Sequence, residues 1–172
     1  MLAGKSMAAV LSIYDETGNP LDRFEKLAVN HDWTIDRPAD DEVNLLVEAT
    51  WCDLHISLNW RDDLEGLHMA CAFDLRVPSG RREEVRRVVA MINEQLYFGH
   101  FDIWPSEGTL LFRNGLLLTG RAEATDAQCE ALVCLALDSC ERYFPVFQFV
   151  IWAGKSAEQA LELSLLETLG QA

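Results

Sequence analysis

Histidine and aspartate are the residues of this chain best suited to chemistry at neutral pH, and His55, His68, Asp53 and Asp74 fall within one stretch of alternating polarity. A neutral imidazole beside a carboxylate can hold a divalent metal or act as a base with its orienting acid. The alternation places His55 and His68 on the wet faces of neighbouring strands, which is what an enzyme or metal-binding reading requires. Solvated sheet faces carry such residues without any function, and strand register decides whether they meet. Cys52 with His55 lacks a second ligand pair at zinc spacing, so neither a metal site nor a cofactor follows. Ser156 beside Lys155 has neither the G-x-S-x-G elbow nor an S-x-x-K arrangement and reads as a helix cap. In Gly99-His100-Phe101-Asp102 the glycine reads as the end of a helix, His100 as a turn residue and Phe101 as a core anchor. No catalytic residue is assigned.

Two stretches suit binding better than catalysis. Arg81, Arg82, Arg86 and Arg87 form the one dense basic patch, interleaved with Glu83 and Glu84. An i,i+4 pair of Arg87 with Glu83 is worth only a few tenths of a kcal/mol, so this is either a solvated helix face or, through Arg82 and Arg86, a dock for an acidic peptide or phosphate. The run Phe144 to Trp152 (FPVFQFVIW) contains a single polar residue and cannot all point inward from one helix. Phe144, Phe147, Ile151 and Trp152 are therefore the candidate residues for a protein partner, the alternative being that the last helix covers them within one subunit.

The elements that must position these residues follow from periodicity. Asn19 is a helix cap with Pro20 at the first helical position, and Leu21, Phe24, Leu27 and Ala28 share a face. After a loop at Pro38 to Asp41, residues 43–51, 54–60 and 67–77 alternate and predict three antiparallel strands with one dry and one wet side. Pro78-Ser79-Gly80 stops the sheet, and Val85, Val88, Val89, Ile92 and Leu96 mark a helix across its dry face. Phe101, Ile103 and Leu110 to Leu118 supply two more strands. Asn114-Gly115 is a bulge or a further hairpin, and the bulge is preferred. Thr125 to Gln128 reads as a capping box for a helix with Leu132, Val133, Ala136 and Cys140 inside, interrupted or kinked at Pro145. Ser156 to Gln159 repeats the cap before a last helix whose Leu161, Leu165 and Leu169, widened by Leu163 and Leu166, predict its buried face. The class is α+β, an antiparallel sheet with helices packed on it in the order α-βββ-α-ββ-α-α.

Composition narrows the function. At 172 residues the chain suits one domain, here residues 19–172 behind an N-terminal extension of 1–18. Twenty-eight acidic against fourteen basic side chains give a net charge of -14, which argues against nucleic acid and anionic membranes as partners. Five cysteines without a C-x-x-C pair read as buried reduced thiols. The apolar run Met7 to Leu11 is too short for a signal-peptide core or a membrane span, so a cytoplasmic protein is expected.

Over nearly its whole length the chain also resembles the YbjN family. The resemblance rests on Asn19-Pro20-Leu21 with Glu25, the Trp33 and Trp51 region, Asp74 to Arg82, Asn93, Gly99-His100-Phe101-Asp102, Phe112-Arg113, Cys140 to Pro145 and Trp152 to Lys155. It implies a bacterial sensory transduction regulator without catalytic residues, similar in fold to type III secretion chaperones. It also argues for one long strand through Asn114-Gly115. The expected function is thus a non-catalytic protein-binding module, regulatory or chaperone-like, with a homodimer as one form the partner could take. An enzyme or metal protein using the face around His55 and His68, and a small-ligand sensor with a cavity between sheet and helices, are the rival readings.

Overall fold

The computed structural model describes residues 18–170, and the N-terminal run Met7 to Leu11 lies outside them. Helix α1 (Leu21–Asn30) begins where Asn19 Oδ1 accepts a 3.0 Å hydrogen bond from the Leu21 amide, with Pro20 already in helical conformation. Its Leu21, Phe24, Leu27 and Ala28 are buried.

Four strands follow rather than the expected three: β1 (Thr34–Ala39), β2 (Glu42–Val47), β3 (Leu54–Arg61) and β4 (Gly66–Arg76). The segment around Pro38, expected as a loop, is an edge strand, where the missing proline N–H is tolerated. Its residues are exposed or half-buried, so no dry face betrays it in sequence. Arg37 pins it to α1 by 2.7 Å bonds to Asp22 and Glu25. The strand expected to reach Trp51 stops at Val47, and Trp51 instead stacks on Phe144 while Glu141 binds the Thr50 amide at 2.7 Å.

Helix α2 (Arg82–Asn93) leads to β5 (His100–Ile103) and β6 (Thr109–Leu117), giving the order α-ββββ-α-ββ-α-α and one antiparallel sheet in the spatial order β1-β2-β3-β4-β6-β5. Strand β6 runs unbroken through Asn114 and Gly115, which pair with Met69 and His68, so the expected bulge is absent there. The irregularity lies instead between Ala72 and Arg76. Gly115 answers to close backbone approach, because a Cβ would stand 2.8 Å from the Leu67 carbonyl oxygen. Gly99 does not end α2, which stops at Asn93; it enters β5 at φ +70 with a Cβ position 2.2 Å from the Phe112 ring.

Helix α3 (Asp126–Ile151) opens on the reciprocal Thr125–Gln128 cap and continues past Pro145 as one helix. Helix α4 (Ala157–Gly170) opens on the matching Ser156–Gln159 pair. Its packing face is Ala157 and Ala160, both fully buried, with Leu161 half-buried behind them. Leu165, expected inside, is 63% exposed, and the side chains of Leu166 and Leu169 lie outside the described residues. Small alanines let the first turn of α4 pack against α3 and α2, while Leu165 is left facing outward.

All four helices deliver their buried side chains to the core cluster that holds the inward rows Leu45, Ile56, Cys71, Phe112 and Phe101 of the sheet. Leu111 and Ala70 are buried too but stand outside that cluster, on the opposite face. The helices therefore cover one face of the sheet.

Candidate functional site

The face opposite the described helices is set by strand register, since alternate residues of each strand share it. Reading across, Thr34, Leu46, His55, Ala72, Leu111 and Asp102 form one row, and Asp36, Asn44, Ser57, Ala70, Arg113 and His100 the next. Glu42, Asn59, His68 and Gly115 make a third. The centre carries small side chains (Ser57, Ala70, Ala72) between more polar margins.

His55 and His68 both lie on this face, as their alternation predicts, but they do not meet. His55 pairs with Ala72, four residues along β4 from His68, a separation of about 13 Å at strand spacing. Asp74 lies further still, so the register does not assemble the His55, His68 and Asp74 constellation that the enzyme reading requires. Among the described residues no group of three or more His, Cys, Asp or Glu side chains is placed to hold a metal ion.

What the register does assemble is His68 with Arg113, His100 and Asp102, across β4, β6 and β5. Arg113 Nε lies 3.2 Å from His68 Nε2 and donates to it, and Arg113 Nη1 reaches Asp102 Oδ2 at 3.3 Å. His100 stands directly opposite Arg113. Burial lowers the His68 pKa below its ordinary value, and the Arg113 and His100 charges add to that shift. With Gly99, Asn114 and Gly115, the side chains of His68, His100 and Arg113 line an open hollow of about 250 Å³. Sequence reasoning missed this grouping, because the partners of His68 come from strands far along the chain.

The other candidate residues are differently placed. Phe144, Phe147 and Ile151 are buried at 3%, 0% and 7% exposure, so they are core residues and offer no surface to a partner. The aromatic cluster of Phe73, Phe101, Tyr143, Phe144 and Phe147 accounts for the length of the apolar run. Trp152 alone of the four is exposed, at 64%. In the basic patch, Arg82 donates to the carbonyls of Pro105 (2.8 Å) and Val77 (3.5 Å), and Arg81 to those of Val150 and Lys155 (both 2.8 Å). Arg87 pairs with Glu158 rather than Glu83, leaving Arg86 with Glu83 at 3.6 Å. These arginines tie α2 to α3, α4 and the β5–β6 turn. A groove of about 300 Å³ lies between the helices, lined by Gln95, Arg142, Tyr143, Val146, Leu161 and Leu165 among others, not between helices and sheet as the sensor reading expects.

The thiols sit in or near the core. Cys140 and Cys71 are in contact at 3.7 Å, and all five cysteines are free. Burial pushes the Cys140 thiol well up and Cys129 to about 11, so these sulfurs are held protonated.

The two sheet edges are handled differently. At β5 the Asn93 amide receives the Phe101 N–H at 2.8 Å and donates to the Phe101 carbonyl at 3.0 Å, filling the place of a neighbouring strand. Asp102 Oδ1 accepts the Ile103 amide at 2.8 Å. At β1 the device is Pro38 with charged neighbours.

A family model described as "Putative bacterial sensory transduction regulator" matches residues 20–149, three quarters of the sequence. The chain belongs to the YbjN family. Among solved structures it is similar to that of YbjN from E. coli, titled a "putative transcription regulator", with 11% identity over 69% of this chain and 84% of that one and a TM-score of 0.49. No curated protein matches it. The motifs that carry the family resemblance fall at structural joints: Asn93 closes an edge, Gly99 presses on Phe112, and Asn19 caps α1. Among the described residues no helix is long and apolar enough to cross a membrane.

Proposed function

We propose that this YbjN-family chain is a non-catalytic regulatory module that works in the cytoplasm by holding a protein partner on the sheet face opposite its described helices. The observation that supports this reading is the placement of all four described helices on one side of the six described strands, with the small side chains Ser57, Ala70 and Ala72 at the centre of the other. A strand-adding partner would need a free sheet edge, and Asn93 fills that of β5 while Pro38 interrupts the donors of β1, so the face is the larger offer. Its mixture of half-buried Leu46 and small side chains with Asn44, Asn59 and His55 suits a polar, reversible contact more than an obligate one. A chaperone-like role, of the kind that the expected likeness to secretion chaperones suggests, is the finer form of the proposal, and a second copy of the chain is one partner that would fit it.

The test is site-specific photocrosslinking in living cells. Reactive groups at Leu46 and Ser57 should give discrete protein adducts, while groups at Trp152 and Arg86 on the helical side should not. Adducts from Trp152 or Arg86 alone would move the partner to the helices and sink the proposal.

A further inference from the structure

We propose that the hollow around Arg113 binds a small oxyanion, a phosphate monoester or a carboxylate. This goes beyond the protein-binding reading and is independent of it. The local composition is the first reason. The chain carries two acids for every base, yet the lining of this hollow holds one arginine and two histidines, and Asp102 reaches it only through its bond to Arg113.

The second reason is donor geometry. Ala70 stands opposite Arg113 on β4, and its methyl group leaves the guanidinium room to lie across the strand toward His68. Because Arg113 Nε donates to His68 Nε2, the His68 proton resides on Nδ1, which is then a donor. Arg113 Nη2 and the His100 ring have no bond to any described residue. Three donors thus surround the hollow. The one internal competitor, Asp102, holds Nη1 at 3.3 Å, longer than the 2.7–2.9 Å at which charge-assisted bonds usually settle, so the guanidinium is under-used where it stands.

The third reason is space. Two of the lining residues are glycines whose Cβ positions are blocked by Phe112 and by Leu67 O, so no side chain fills the hollow from below. At about 250 Å³ it holds several times the roughly 30 Å³ of a water molecule. A guanidinium edge beside imidazole donors matches the oxygens of a phosphate or carboxylate group and offers little to a cation. The charged groups acting on His68 are Arg113 and His100, with neutral Asn59 on the β3 side, and a bound anion would draw a proton onto an imidazole that burial keeps neutral.

The experiment is a histidine side-chain NMR titration of the full chain with sodium phosphate and, separately, sodium acetate, at fixed ionic strength with chloride as the balancing salt. The expected result is a saturable shift of the His68 and His100 rings with at least one anion, a raised His68 titration midpoint, and silence at His31 and His55. Response to phosphate alone assigns the site to phosphate esters, and response to acetate extends it to carboxylates. Arg113→Gln should weaken binding about tenfold or more. His100→Gln, at an exposed ring without partners, should keep the fold intact and weaken binding severalfold. No saturable shift with either anion, or unchanged binding in both variants, overturns the proposal.

Discussion

Three glycines separate backbone conformation from crowding, and together they test how rigidly the hollow is built. Gly120 has φ +74 with nothing within 4 Å of a built Cβ, so Gly120→Ala measures conformation alone. Left-handed backbone costs a non-glycine residue about 1–2 kcal/mol, less the 0.4–1 kcal/mol by which alanine stiffens the unfolded chain, so the net loss is about 1 kcal/mol. Gly115 has an ordinary φ but a Cβ position 2.8 Å from the Leu67 oxygen, so Gly115→Ala measures crowding alone. Forced overpacking costs about 1–3 kcal/mol, and the obstacle here is backbone rather than a flexible side chain. Gly99 combines φ +70 with approaches of 2.2 Å to Phe112 Cζ and 2.8 Å to the Arg113 oxygen. Gly99→Ala should therefore lose about 2–4 kcal/mol, or roughly 4–16 °C in Tm for a chain of this length. Urea unfolding of the three variants gives the comparison, and Gly99→Ala with Phe112→Leu should cost less than the sum of the two single changes. If Gly99→Ala costs no more than Gly120→Ala, the packing of the Phe112 ring under this turn is wrong.

Asn93→Ala removes both bonds to buried Phe101 and should cost about 2–4 kcal/mol in urea unfolding, since each unsatisfied group carries about 1–3 kcal/mol; a loss within 0.5 kcal/mol would refute the edge-closing role. On α4, Leu165→Ser should stay within about 0.5 kcal/mol, whereas Leu161→Ser should cost about 1 kcal/mol, as judged by thermal melting. The reverse ranking would show that Leu165 rather than Leu161 packs against the core. The depressed His68 pKa means that the unfolded chain takes up its proton first as pH falls, so this residue stabilises the fold above its unfolded value near 6.5 and loses that contribution below it. Melting curves from pH 8 to 5 should accordingly fall less steeply for His68→Gln than for the parent, and equal slopes would count against the burial argument.

How much of this could be read from the chain depends on how local each cause is. Strands β2 to β4 were legible because each alternates between a dry and a wet side within a few residues. Strand β1 was not, because an edge strand wetted on both sides has no dry side to alternate with, and Pro38 argues against a strand anywhere but at an edge. The capping pairs at Thr125 and Ser156 were legible since donor and acceptor lie three residues apart. Leu165 misled because the close approach of α4 is made by Ala157 and Ala160, which periodicity ranks below leucine. His68 was singled out with His55, its neighbour in sequence, whereas its true contact, Arg113, is brought to it by a strand pairing between distant segments. For Phe144 and Phe147 the sequence leaves a partner surface and intrachain burial both open, because nothing in it tells that Phe73 and Phe101 pack against them.

The order of strands also bears on how the chain is made. Strand β4 ends the early meander, but its second neighbour in the sheet is β6, which leaves the ribosome about 30 residues later, a delay of seconds at ordinary synthesis rates. During that interval the newly made Met69-Ala70-Cys71-Ala72-Phe73 segment presents an open, apolar strand edge. The meander can fold early, yet the sheet stays unfinished at what will be its interior. A chain released after α2 should therefore be insoluble although it carries four of the six strands, whereas a circular permutant that begins at β5 would have β6 ready before β4 appears and should escape that hazard.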